Sequence, residues 1–146
     1  MFSKLFKKTK KEDTFSIAEL KEDGKTLLLR FKNNQLRFAK SGKYPYQIGL
    51  ATPLHTNNNG FPTKEENAQL LIMEDILIKE FSKNDLALFV GAIIGDGMKE
   101  FVFYTGDHKA AAKVYERLRD QIKHHDLQCV INKDPDWNVY KLYGPR

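Results

Sequence analysis

Apolar residues along this chain recur with two different periods, and the changes of period mark the elements. Thr26-Leu27-Leu28-Leu29-Arg30-Phe31-Lys32 is a short apolar run that predicts a strand, and Asn33-Asn34 breaks it. A second strand is expected over residues 46–54, ended by Pro53 and the polar loop from His55 to Gly60. From Thr63 to Ser82 the spacing becomes helical, with Leu70, Met73, Leu77 and Phe81 as the stripe and Leu71 and Ile78 on its flanks. Thr63 and Glu66 have the spacing of a capping box. In that motif the hydroxyl accepts a bond from one free N–H of the first turn, and the carboxylate reaches back to another.

The second half repeats the alternation. Leu86 to Ile94 is a nearly continuous apolar run, the pattern of a strand buried on both faces. Gly95-Asp96-Gly97 then carries the Asp-Gly hairpin signal, and residues 98–105 return. Phe101 and Phe103 point to one face, Val102 and Tyr104 to the other. Asp107 can cap a helix over 108–124, whose stripe is Ala111, Val114, Tyr115, Leu118 and Ile122. Leu127 to Asn132 forms a last strand, stopped by Pro135. From residue 46 onward the order is βαββαβ, the split βαβ arrangement of ferredoxin-like folds. The expected fold class is therefore α+β: an antiparallel sheet with two helices on one face, plus an extra N-terminal strand whose place stays open.

Composition narrows the setting. The chain has 146 residues, 41% hydrophobic and 29% charged, the profile of one ordinary globular domain. No apolar run approaches a membrane span, and the N-terminus lacks the apolar stretch of a signal peptide. The single cysteine, Cys129, excludes an internal disulfide and sits in an apolar strand pattern as a small hydrophobe. A cytoplasmic location is expected. The net charge of +5 resides in a leader: Lys4, Lys7, Lys8, Lys10 and Lys11 precede any acid, and the remaining basic residues match the 19 acidic ones. Residues 1–14 read as a flexible basic arm and 15–146 as one domain. With Phe2, Leu5 and Phe6 among these lysines, the arm has the composition of a weak contact with an anionic membrane surface at the inner face, each lysine adding about 1 kcal/mol. The alternative is a solvated arm.

Candidate chemistry is sparse. Glu74 falls inside the apolar arc of its helix, where a carboxylate must find partners or be neutral. It is a candidate general acid/base or ligand contact. The competing reading is a structural carboxylate bonded to a Tyr hydroxyl or a backbone N–H. His124, His125 and Asp126 invite a metal reading, but adjacent helical residues point about 100° apart and chelate one ion poorly. A histidine pair at the negative end of a helix is the alternative. His55 and His108 have no visible partner. No nucleophile elbow, phosphate-binding Gly-rich loop or His-Glu-x-x-His motif occurs, so no cofactor and no metal are expected. Phe101-Val102-Phe103-Tyr104 resembles the end of an RNA-recognition strand. The basic-Gly-aromatic-Gly start is missing and the domain is neutral, so no nucleic acid is expected. Asp134-Pro135-Asp136-Trp137 suits a type I turn that swings Trp137 and Tyr140 back over the sheet edge, either to seal the core or to offer a flat ligand platform.

Several of these pieces together support a family. Gly60-Phe61-Pro62 precedes Glu65-Glu66, and Glu74-Asp75 with Leu77 follow in the helix. Gly91, then Gly97 leading to Phe103-Tyr104, and Asp134-Pro135-Asp136-Trp137 with Tyr140 and Leu142-Tyr143-Gly144-Pro145 complete the series. In this order the chain resembles, over roughly residues 45–146, the bacterial family called domain of unknown function 695. The resemblance implies no established activity. Some relatives join this domain to one similar to the regulator of ribonuclease activity B, which suggests a link to ribonuclease regulation by analogy. The expected function is a non-catalytic protein-interaction or regulatory module with a protein partner. The alternatives are a small-ligand-binding protein or an enzyme using Glu74 with Tyr104, Trp137 or Tyr140, and an immunity or antitoxin-like partner of a toxin. The oligomeric state stays open.

Overall fold

The computed structural model describes the backbone of residues 2–11 and all atoms of residues 15–56 and 58–145. Three strands, β1 (Phe2–Lys11), β2 (Phe15–Glu22) and β3 (Lys25–Lys32), precede a short helix α1 (Leu36–Lys40) and strand β4 (Tyr46–Pro53). Helix α2 (Lys64–Phe81) leads through a 3-10 turn to β5 (Ala87–Gly95) and β6 (Met98–Thr105). Then come α3 (His108–Gln121), β7 (Gln128–Lys133) and α4 (Asn138–Tyr143). The fold is α+β. Its antiparallel sheet runs β2-β3-β5-β6-β4-β7, and β1 pairs on the outside of β2.

Where the sequence predicts one strand ahead of residue 46, there are three, and the stretch read as a flexible arm is placed as β1. Residues 12–14 lie outside the described residues. Strand β2 escapes a pattern reading because its buried positions are Ser16, Ala18 and Leu20, only one of them strongly apolar. Its turn carries a signal that the pattern reading does not use: Asp23 and Gly24 both take positive φ, as an Asp-Gly hairpin loop does, and Asp96-Gly97 repeats the device between β5 and β6. Strand β3 extends the sheet beyond β5, with Phe31 opposite Gly91.

Both sheet faces are covered. On one face α2 and α3 enclose Ile48, Leu50, Leu70, Met73, Leu77, Phe81, Phe101 and Phe103. On the other, Leu20, Leu29, Phe31, Val90, Val102 and Tyr104 meet Trp137 and Tyr140 from the tail and Phe38 from α1. The alternation of β6 thus serves two cores. Strand β5 does the same, with a bulge between Phe89 and Gly91 that lets Phe89 and Ala92 share the helix side.

Gly91 is required by this packing. A Cβ built there would fall within the Phe31 ring, which is itself 1% exposed and sits against Tyr140 and Tyr143. Gly91→Ala is expected to cost about 1–3 kcal/mol by overpacking, read as a lowered urea midpoint at unchanged slope. An unaltered midpoint would show that the ring has room.

Candidate functional site

Three buried carboxylates organise the polar interior. Glu66, on the first turn of α2, is 4% exposed. Thr63 caps that turn by accepting from the Glu66 N–H at 3.3 Å, so half of the expected capping box forms. The other half does not. Thr63 N–H donates instead to Thr56 Oγ1, and the Glu66 carboxylate turns to the 55–56 loop. Its Oε1 accepts from Thr56 N–H (3.0 Å) and the Thr56 hydroxyl (2.5 Å), and its Oε2 from His55 N–H (2.7 Å). His125 Nε2 lies 2.6 Å from the same Oε2 and must be its donor, because a carboxylate only accepts. Burial pushes the Glu66 carboxyl up, but the bonds from Thr56, His55 and His125 outweigh it and hold it at about 2. The His55 ring stacks on His125 at 4.1 Å and 6°.

Glu74 lies under α2 at 5% exposure. Neither competing partner, Tyr hydroxyl nor backbone N–H, is what it finds. Arg30 Nη2 of β3 donates to its Oε2 at 2.5 Å, and Lys99 Nζ of β6 stands 3.8 Å from its Oε1. That Oε1 has no hydrogen bond, nor does Oγ1 of Thr52, the cross-strand neighbour of Lys99. Burial lowers the Lys99 pKa, with Arg30 adding to the effect and Glu74 opposing it. One carboxylate between two cations joins α2 to two strands.

Asp134 is the third. It accepts from the Tyr104 hydroxyl at 2.6 Å and from the N–H groups of Asn138 and Val139, which begin α4. Trp137 N–H closes the 134–137 turn by donating to the Asp134 carbonyl. Trp137 itself takes a left-handed backbone (φ 57°), a conformation costing about 1–2 kcal/mol for a side-chain-bearing residue. Its compensation is local. The ring stacks on Tyr104 at 3.9 Å and Nε1–H donates to the Tyr44 carbonyl at 2.9 Å. Tyr140 donates from its hydroxyl to the Lys32 carbonyl at 2.5 Å. Burial, then the bond to Asp134, raises the Tyr104 pKa.

Tyr104, Trp137 and Tyr140 are therefore together, but packed as a wall over the sheet face rather than over its edge. Glu74 is on the opposite face. Phe101 and Phe103 lie beneath the helices, so neither aromatic set exposes rings to a base. His124 and His125 lie past the end of α3, so the helical divergence expected of them does not apply: their rings are perpendicular (88°), their Nδ1 atoms are 2.8 Å apart, and His125 is buried while His124 is exposed. Sequence reasoning missed the neighbours of His125, which are His55 and Glu66. Two positions, the capping-box Glu66 and the loop His55, carry the only signals, and nothing in their spacing joins them to residue 125. Cys129 is half-buried, and burial pushes its thiol up to about 11. The side chains of Phe2, Lys4, Leu5, Phe6, Lys7, Lys8, Lys10 and Lys11 lie outside the described residues. No helix among the described residues is long and apolar enough to cross a membrane.

Tyr140 lines a cleft of about 410 Å³ with Gln35, Arg37 and Pro145, and two more voluminous clefts lie elsewhere. One of about 690 Å³ is lined by Lys43, Asp85, Asp107 and the Lys83–Glu80–Arg117 ion network. A second, about 660 Å³, lies around Gly60, Asp96 and Gly97, with Lys25 paired to Asp96 at 2.8 Å. Glu74, Tyr104 and Trp137 line neither.

The sequence model of a family of unknown function (DUF695) matches residues 14–143. The chain belongs to this family. The match includes β2 and β3, ahead of the region in which the motif residues fall. No curated protein matches the chain. In this DUF695 chain several of the motif residues serve packing, while Glu65, Asp75 and Asp136 are exposed. Gly60, at φ +87°, receives the Gly97 N–H on its carbonyl, and a Cβ on it would crowd Asp96. Gly91 admits Phe31, and Asp134 and Trp137 close the tail.

Glu66 makes a prediction about acid stability. Its folded pKa is depressed, so its contribution is present above the ordinary carboxylate range near ~4.3 and is lost as pH falls toward about 2. Urea titrations between these limits are expected to show stability falling with pH, and Glu66→Gln is expected to flatten that slope. An equal slope in both proteins would contradict the assignment.

Proposed function

We propose that this DUF695 chain is a non-catalytic protein-interaction or regulatory module that meets its partner through the outer face of α2. The observation that carries the reading is the distribution of apolar side chains around that helix. Its inner stripe, Leu70, Met73, Leu77 and Phe81, is fully buried. Its outer side still bears Leu71, Ile72 and Ile76 at 46%, 59% and 38% exposure, with Ala68 one turn before Ile72. A helix apolar all round normally has cover on all sides. Here nothing among the described residues covers the outer side, where charged Glu65, Asp75 and Lys79 stand among the apolar residues. Exposed aliphatic side chains interspersed with charges suit a non-obligate protein interface. The clustered acids lend support from the other direction, since Glu66, Glu74 and Asp134 are engaged in holding segments together.

The scaffold under this face we read as a ferredoxin-like core. Its support is the order β4-α2-β5-β6-α3-β7 along the chain with β5-β6-β4-β7 across the sheet. A ribonuclease is the partner class that the family analogy suggests.

The test is a double substitution, Ile72→Glu with Ile76→Glu. Both sites are exposed, so the melting temperature should stay within a few degrees of wild type. Affinity capture from a bacterial lysate, with light scattering for self-association, is expected to yield a bound species with the wild type and none with the variant. Capture of the same species by both proteins would remove the α2 face from the account. A monomeric wild type that captures nothing would remove the interaction reading itself.

A further inference from the structure

His55, Glu66 and His125 reach one point from three separate segments: the loop after β4, the first turn of α2, and the connection from α3 to β7. One ligand-type atom from each lies within 4.8 Å of the others. We propose that these three side chains form a binding site for a divalent transition ion of the zinc class. Two imidazole nitrogens and one carboxylate oxygen form the donor set that borderline ions of this class prefer over magnesium or calcium.

The His125–Glu66 pair is prepared for an ion, and the exposed His55 ring, stacked flat on His125 at 4.1 Å and 6°, turns to join it. His125 is 3% exposed, and both of its ring nitrogens are committed. Nε2 faces Glu66 Oε2 at 2.6 Å, where it now carries a proton. Nδ1 faces His124 Nδ1 at 2.8 Å. An ion at Nε2 requires the Nδ1–H tautomer of His125: the Nε2 proton leaves to solvent, Nδ1 takes up the proton shared with His124 Nδ1, and the exposed His124 ring regains one from solvent. A ligating histidine ordinarily donates its second N–H to such a partner, which fixes the tautomer and the ring plane. His124 supplies that partner before any ion is bound. The carboxylate is also prepared for the role. Three of its four bonds come from the 55–56 loop, so it keeps its place when the His125 proton is lost. His55 and His124 are both exposed, which leaves a solvent side for entry and for water as the remaining ligand.

The ion would tie together three segments that are far apart in sequence, at the end of the sheet where the polar 54–62 loop begins. It is independent of the apolar α2 face, whose exposed apolar residues start at Ala68.

The experiment uses untagged full-length protein, stripped with EDTA, with Zn²⁺ and Co²⁺ as probes. Calorimetric titration is expected to show one equivalent of Zn²⁺ bound, accompanied by a rise in melting temperature. Co²⁺ should give visible absorption bands that Zn²⁺ removes. His55→Ala takes away one ligand whose ring makes no hydrogen bond among the described residues and loses only its stack on His125, so the ion-free protein should melt within a few degrees of wild type while Zn²⁺ affinity falls at least about tenfold. His124→Ala should weaken binding by about 10- to 100-fold without abolishing it. His108→Ala, which removes a ring stacked on Tyr46 elsewhere, should bind as wild type does. Absence of saturable binding at one equivalent in the wild type would overturn the proposal. So would equal affinity in wild type and His55→Ala.

Discussion

Strands β5 and β6 are apolar on both faces, and this double burial is the constraint on which the structure turns. A sheet with one wet face needs one layer of cover. Here Phe101 and Phe103 face α2 and α3, and Val102 and Tyr104 face away from them, so a second layer is required. The chain supplies it from its ends. Strands β2 and β3 widen the sheet with Leu20, Leu29 and Phe31, and the last residues fold Trp137 and Tyr140 onto that surface. The left-handed Trp137 is the local cost of turning the tail inward, and its stack on Tyr104 offsets that cost.

The buried acids follow from the same layering. Covers made from distant segments need joints, and each buried carboxylate is one. Asp134 joins β6 to α4, Glu74 joins α2 to β3 and β6, and Glu66 joins the start of α2 to a loop and to the α3–β7 connection. Glu66 and Asp134 are met by several donors and Glu74 by two cations, although its Oε1 is left without a hydrogen bond. Helix α2 is thus pinned at two points along its inner side, while Leu71, Ile72 and Ile76 on its outer side stay exposed.

How much of this was legible depended on whether a signal was local. Helix α2 could be read from the Leu70-Met73-Leu77-Phe81 stripe, and the β5–β6 hairpin from Asp96-Gly97, because period and turn chemistry are properties of neighbouring residues. The two-sided character of β6 was legible for the same reason. Strand β2 was not, since Ser16 and Ala18 occupy buried positions without looking apolar. Glu74 could be singled out as an anomaly on its helix, but Arg30 and Lys99 are 44 and 25 positions away and only the sheet order makes them its neighbours. His125 shows the limit most clearly. Its sequence neighbour His124 suggested a pair, whereas His55 and Glu66 reach it only through the fold.

Native-state hydrogen exchange, resolved to single amides, tests the claim that the tail is a wall of the second core and not a docked end. The amides of Tyr140, Lys141 and Gly144 bond to the Tyr104 hydroxyl, the Trp137 carbonyl and the Tyr140 carbonyl. If α4 covers the sheet as described, they open only with the whole domain, at the same free energy as the amides of β6. Exchange of these three by local opening, orders of magnitude faster than β6 under the same conditions, would contradict the account.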